Sequence, residues 1–92
     1  MADALADPFR LGETLRFCAR LSALHREWQT AQAHAETLLA LATEHALARY
    51  VAYGIFYRGW PLAAQGQGAE GIAQMRQGLA ALRATGAVLR LP

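Results

Sequence analysis

One cysteine, three prolines, no lysine and no asparagine occur among the 92 residues, and each shortage excludes something. With Cys18 alone, no intrachain disulfide can form and nothing asks for an oxidising compartment, so a cytoplasmic location is the expectation. Charged residues make up only 17% of the chain, and its basic residues are arginines scattered from Arg10 to Arg90 among glutamates, never in a run. That spread argues against a nucleic-acid patch, even at a net charge of +2. No apolar stretch approaches the ~20 residues that a membrane-spanning helix needs, and Met1 to Pro8 lacks the basic-then-apolar order of a signal peptide. A chain of this length holds one compact domain with a thin core.

Constellations that carry chemistry are missing as well. Gly66-Gln67-Gly68 lacks the Lys-Ser/Thr that completes a phosphate loop and reads as a turn. His34 and His45 fall on one helix but ~16 Å apart along its axis, too far to share an ion, and His25 lies at a turn. Cys18 has Arg16 and Arg20 nearby, which could lower its pKa, but it shares an apolar stripe with Leu11 and Leu15, where a cysteine is usually a small core hydrophobe. The acidic residues form no pair suited to acid-base work. The expectation is a protein that is not an enzyme, with no catalytic residue, no cofactor and no metal.

What is present is helix-forming sequence, much of it alanine. After a flexible lead over residues 1–8, with Pro8 suited to a first helical turn, the pattern predicts a helix from Phe9 to about Leu24. Its two stripes, Leu11, Leu15, Cys18 and Ser22 on one side and Phe17, Leu21, Leu24 and Trp28 on another, predict cover on two sides. A turn is expected at His25-Arg26-Glu27. A second helix follows from Trp28 to about His45, with Ala31, Ala35, Leu38, Leu39 and Ala42 inward; neither glycine nor proline marks its end. The third, from about Ala48 to Gln65, holds most of the aromatic mass, and Pro61 inside it predicts a kink or an early end. After the Gln65 to Gly68 turn, a fourth helix from about Ala69 to Thr85 is expected to bury Ile72, Met75, Leu79 and Leu82, with Gly86 as its capping residue and residues 87–92 as a tail.

A shift of forty residues brings Ala19 onto Gly59, Leu15 onto Ile55, Phe17 onto Tyr57, Ala31 onto Gly71, Ala35 onto Met75, Leu39 onto Leu79 and Ala42 onto Leu82. Small falls on small at Ala19/Gly59 and Ala31/Gly71 and large on large at Leu15/Ile55, Phe17/Tyr57 and Leu39/Leu79, which suggests two hairpins, unit one about 9–46 and unit two about 48–86. Small residues at Ala19 and Ala31, and at Gly59, Gly71 and Gly78, would let paired helices approach closely.

On these positions the chain resembles the tetratricopeptide repeat. The runs Arg26-Glu27-Trp28 and Arg58-Gly59-Trp60, the latter leading into Gln65 to Leu79, are similar to the tetratricopeptide-like arrays that follow the ATPase region in bacterial predicted ATPases and in adenylate/guanylate cyclase-like regulators. The spacing is longer than the usual ~34 residues, and Leu15 and Ile55 stand where the family often has an aromatic. The resemblance implies an all-α fold of two tandem helix-turn-helix hairpins, four antiparallel helices in a short right-handed superhelical stack, acting as a protein-interaction scaffold within a larger signalling protein. It also implies a groove lined by the first helix of each unit, which places Glu13, Arg16, Phe17 and Arg20, then Tyr53, Phe56, Tyr57 and Trp60, toward a protein or peptide partner. Arg16, Arg20, Tyr53, Phe56, Tyr57 and Trp60 are therefore the candidate groove; the competing reading is that these aromatics fill the seam between hairpins. Two hairpins leave the stripe of Ile72, Met75, Leu79 and Leu82 partly bare, which makes it a candidate self-association face and the chain a candidate homodimer. The alternative function is a helical bundle holding a small ligand among Tyr53, Tyr57, Trp60 and Arg16.

Overall fold

The computed structural model describes residues 7–85, which form four α-helices. They are α1 (Pro8–Leu24), α2 (Trp28–Glu44), α3 (Ala48–Ala64) and α4 (Gly68–Ala84), each of 17 residues. The starts fall at 8, 28, 48 and 68, so helix plus turn repeats every twenty residues and the hairpin every forty. Expected and observed ends agree within a residue. Gly86 and residues 87–92, like most of the 1–8 lead, lie outside the described residues.

Only α1 begins with a side-chain cap, the Phe9 N–H donating to Asp7 Oδ1 at 3.0 Å, with Pro8 at the first position, where the missing donor matters least. The three internal turns share another device. Glu27 N–H donates to the Ser22 carbonyl at 2.8 Å, Leu47 N–H to that of Ala42 at 2.8 Å, and Gln67 N–H to that of Leu62 at 3.0 Å. These are the six-to-one bonds of a Schellman motif, which requires a left-handed residue just before the donor. That residue is Arg26 at φ 61°, Ala46 at φ 55° and Gly66 at φ 95°. The same Glu27, Leu47 and Gln67 then start the next helix, accepting from Ala31, Val51 and Gly71. With connections this short, consecutive helices must run antiparallel.

Among the described residues α1 packs on α2 and α3, α2 on α3, and α3 on α4, while α4 meets neither α1 nor α2. The arrangement is thus a stack of two hairpins with α3 in its middle, not a closed bundle. Its buried positions, Tyr50, Ala52, Gly54, Tyr57, Gly59 and Pro61, point to several sides because α3 has neighbours on several sides. Pro61 does not end the helix, contrary to the early end that a proline suggests. It is fully buried, and α3 continues to Ala64, its last turn held by Gln65, whose backbone and side-chain N–H groups both donate to the Pro61 carbonyl at 3.0 Å. Packing outweighs the lost donor here.

The core is small and runs through the seam between hairpins. Ala19, Ala35 and Tyr57 form one cluster; Leu38, Ala42 and Tyr50 form the next. Double-sided cover of α1 is not found. The inward side is Gly12, Ala19, Ser22 and Ala23, whereas Leu11, Phe17, Leu21 and Leu24 are exposed. Helical periodicity reports where apolar residues lie and not whether a neighbour exists to cover them, and α1 is the outermost helix of its end of the stack.

Candidate interaction surface

Tyr50, Tyr53, Tyr57 and Trp60 recur at intervals of three and four, which puts them on one side of α3. They form a continuous ladder: centroids of Tyr50 and Tyr53 are 5.9 Å apart, of Tyr53 and Tyr57 6.5 Å, and of Tyr57 and Trp60 6.3 Å, the last two pairs nearly parallel. Phe9 extends the ladder edge-on at Tyr50, and Phe56 meets both Tyr57 and Trp60 edge-on. Offset and edge-to-face pairs of this kind stabilise by ~0.5–1.5 kcal/mol each beyond their burial.

Arginines from α1 line the ladder. The Arg16 guanidinium lies 5.0 Å from the centre of the Tyr53 ring, within cation–π range, and is fixed by Glu13 one turn earlier, which accepts from Arg16 Nε at 3.2 Å and from its second guanidinium nitrogen. Tyr50 Oη donates to the same carboxylate at 2.9 Å, tying α3 to α1. The hydrogen bond from Arg16 holds the Glu13 carboxyl below its usual range, partly opposed by burial and aided by Tyr50. Burial pushes the Tyr57 phenol up, while Arg16 and Arg20 pull the other way, so both arginines sit close enough to be felt there. At the far end of α3 Arg49 covers Tyr50, 5.4 Å from its ring centre.

All six residues of the expected groove are therefore brought to one region, but not in equal roles. Tyr57 is buried against Ala19 and Ala35 and belongs to the seam. Tyr53, Phe56 and Trp60 are half-buried around it, and Arg16 and Arg20 are likewise only partly covered. Tyr50 and Glu13 complete the region. The 50, 53, 57, 60 stripe could have revealed Tyr50; its hydrogen bond to Glu13, 37 residues away, leaves no local signal.

Of the expected self-association stripe on α4, Ile72 is exposed, Met75 and Leu79 are half-buried, and Leu82 is buried within the chain. The two hairpin partners α3 and α4 also share a polar link, Arg58 Nε donating to Gln74 Oε1 at 2.8 Å. Arg10, Glu13, Thr14 and Phe17 line an open depression on α1, and Phe9, Leu47, Arg49 and Tyr50 take part in another beside the α2–α3 turn. Neither lies among Arg16, Tyr53, Tyr57 and Trp60. Cys18 is half-buried, and among the described residues no three His, Cys, Asp or Glu side chains gather closely enough to hold a metal ion. None of the described helices is long and apolar enough to cross a membrane. Comparison of the chain with family models, with curated proteins and with solved structures finds no match.

Proposed function

We propose that the chain is a non-catalytic helical scaffold that recognises a protein or peptide partner, as a tetratricopeptide-like regulatory segment of a larger cytoplasmic signalling protein would. One observation carries the reading: an aromatic ladder on the central helix, with Tyr53 and Trp60 only partly covered beside buried Tyr50 and Tyr57, and arginine stacked on it, Arg16 over Tyr53. Tyrosine, tryptophan and arginine dominate binding energetics because they combine large contact area with directed polar contacts, and here they are already held in place, which lowers the entropy lost on binding. Catalysis, a cofactor and nucleic acid form no part of the proposal. Neither described depression lies at the residues a small ligand would use, so nothing favours the bundle-with-ligand alternative.

A pull-down comparing the chain with an Arg16/Arg20/Trp60 triple-alanine variant tests the reading. A partner retained by the wild type and lost by the variant, with helicity and melting temperature kept within a few degrees, is the expected result. Equal retention by both would remove the groove. Trp60→Ala alone separates groove from seam: a large fall in melting temperature would place Trp60 among the packing residues.

A further inference from the structure

The internal repeat reveals what belongs on the bare outer side of α1. Tyr50, Gly54, Tyr57 and Pro61 on α3 are all buried, and hairpin one covers that side: Tyr57 packs on Ala19 and Ala35, Tyr50 on Leu38 and Ala42, while Gly54 approaches the Leu39 backbone. Forty residues earlier the same helical positions are Arg10, Thr14, Phe17 and Leu21, and all four are exposed. Leu24 adds to the apolar surface, so that Phe17 at 52%, Leu21 at 39% and Leu24 at 54% exposure form one stripe. At the opposite end of the stack, α4 repeats part of the side that α2 offers to α3: Gly78 and Leu82, standing for Leu38 and Ala42, are buried within the chain, but Met75 and Leu79, standing for Ala35 and Leu39, are only half-buried, and Ile72, next along that side, is 48% exposed.

We propose that a second copy of this chain docks its α1 side, Phe17, Leu21 and Leu24, on the α4 side of the first, Ile72, Met75 and Leu79, extending the stack as hairpin two extends hairpin one. The contact deepens the self-association part of the reading above and is independent of the groove. It is heterologous: each copy keeps one free end of either kind, so growth continues to a ring or an open filament and does not stop at a symmetric pair. The seat differs from the internal one. Gly54 lets α3 come so near α2 that an added Cβ would lie 3.0 Å from Leu39 Cα, and Thr14 occupies the matching place on α1. Copies therefore sit farther apart, with Met75 in place of Ala35 and Phe17 and Leu21 filling the added space, which makes the contact weaker than the internal seam and dependent on concentration.

Light scattering on the size-fractionated 92-residue chain tests this with two variants, Phe17→Glu/Leu21→Glu on α1 and Ile72→Glu/Met75→Glu on α4. The wild type is expected to gain mass with concentration, and each variant alone to be monomeric. Mixed one to one, the variants should form a heterodimer and nothing larger, because each retains the end that the other lacks. Circular dichroism confirms that each is folded, and Leu24→Glu and Ile72→Glu replace the doubles if either is not. A wild type that stays monomeric at high micromolar concentration overturns both self-association and the end-to-end contact. A wild type that associates while the α1 variant pairs as well as it does, or while the mixture stays monomeric, overturns the end-to-end contact and leaves self-association standing. The groove is tested at Arg16, Arg20 and Trp60, outside both ends, so its failure is read separately.

Discussion

The two hairpins share a length and a turn but close by different means. In hairpin two, α3 and α4 meet backbone to backbone: a Cβ on Gly71 would fall 2.3 Å from the Ala63 amide nitrogen, one on Gly59 2.7 Å from the Gly71 carbonyl, and one on Gly78 2.8 Å from the Phe56 nitrogen. In hairpin one the matching places hold Ala19, Ala31 and Leu38, all fully buried. Ordinary side-chain packing joins α1 to α2, whereas glycine removes the side chain altogether between α3 and α4. The difference suits their positions. Among the described residues α4 touches α3 alone, so its attachment there rests on that one contact, and a closer approach makes more of it.

The strongest way to break this contrast is Gly71→Ala. Alanine is the better helix former by about 1 kcal/mol, but the methyl has nowhere to go among backbone atoms. Overpacking of this kind costs roughly 1–3 kcal/mol or more, so a net loss of about 2 kcal/mol and a melting point lower by about 10 °C are expected from thermal unfolding. Ala31→Gly in hairpin one should lose a comparable amount by the opposite route, about 1 kcal/mol of helix propensity and about 0.8 kcal/mol for the buried methyl, with no clash.

Next in size come the turns, where the hairpins are alike in geometry and unlike in residue. A left-handed conformation costs a side-chain-bearing residue roughly 1–2 kcal/mol, against roughly 0.5–1 kcal/mol of extra unfolded-state freedom for glycine. Ala46→Gly should therefore stabilise by about 0.5–1 kcal/mol and Gly66→Ala should destabilise by a similar amount, as read from denaturant midpoints at unchanged slope. If both destabilise, the three turns are not equivalent.

Gly12→Ala sharpens the comparison from the other side. A Cβ there would rest 3.5 Å from the Tyr50 ring, an ordinary contact, so this helical glycine is not required by close approach. A gain of about 0.5–1 kcal/mol follows from helix propensity, and a loss in the melting curve would mean that Tyr50 cannot yield.

The smallest effect concerns charge. Hairpin two is cross-linked by Arg58 and Gln74 with no carboxylate in the link, while Glu13, whose folded pKa is lowered, links α1 to α3 through Tyr50. A lowered carboxyl pKa gives stability that is present above the unfolded value and lost as pH falls through the folded one. With the Glu13 side chain 50% exposed, solvent screening limits this to a few tenths of a kcal/mol. Glu13→Gln should lose those few tenths at neutral pH and converge on the wild type as pH falls below the folded value, so that its stability depends less on pH through the acid range.

Much of the architecture was legible in the residues themselves. Pro8 announced α1, the Gln65 to Gly68 run announced α4, the forty-residue shift singled out Gly59 and Gly71, and the tetratricopeptide resemblance added Gly78. The end of α2, though placed within a residue, carries no glycine or proline signal, because its left-handed residue is Ala46, a type that favours helix. The aromatic region could be located from α3 alone, but the division into Tyr57 as seam and Tyr53 and Trp60 as rim depends on α1 and α2, which no local pattern encodes. The bare side of α1 escaped for the same reason: its apolar stripe looks like that of any covered helix.

The twenty-residue metre of helix and turn has a consequence for how such a chain can change length. One residue inserted into α4 would swing everything after it by about 100°, carrying Gly78 off its track on α3, and one inserted at a turn would misplace the single left-handed residue that reverses the chain. Growth is tolerated only in quanta, whole helices of one size added at an end, as links are added to a measured chain.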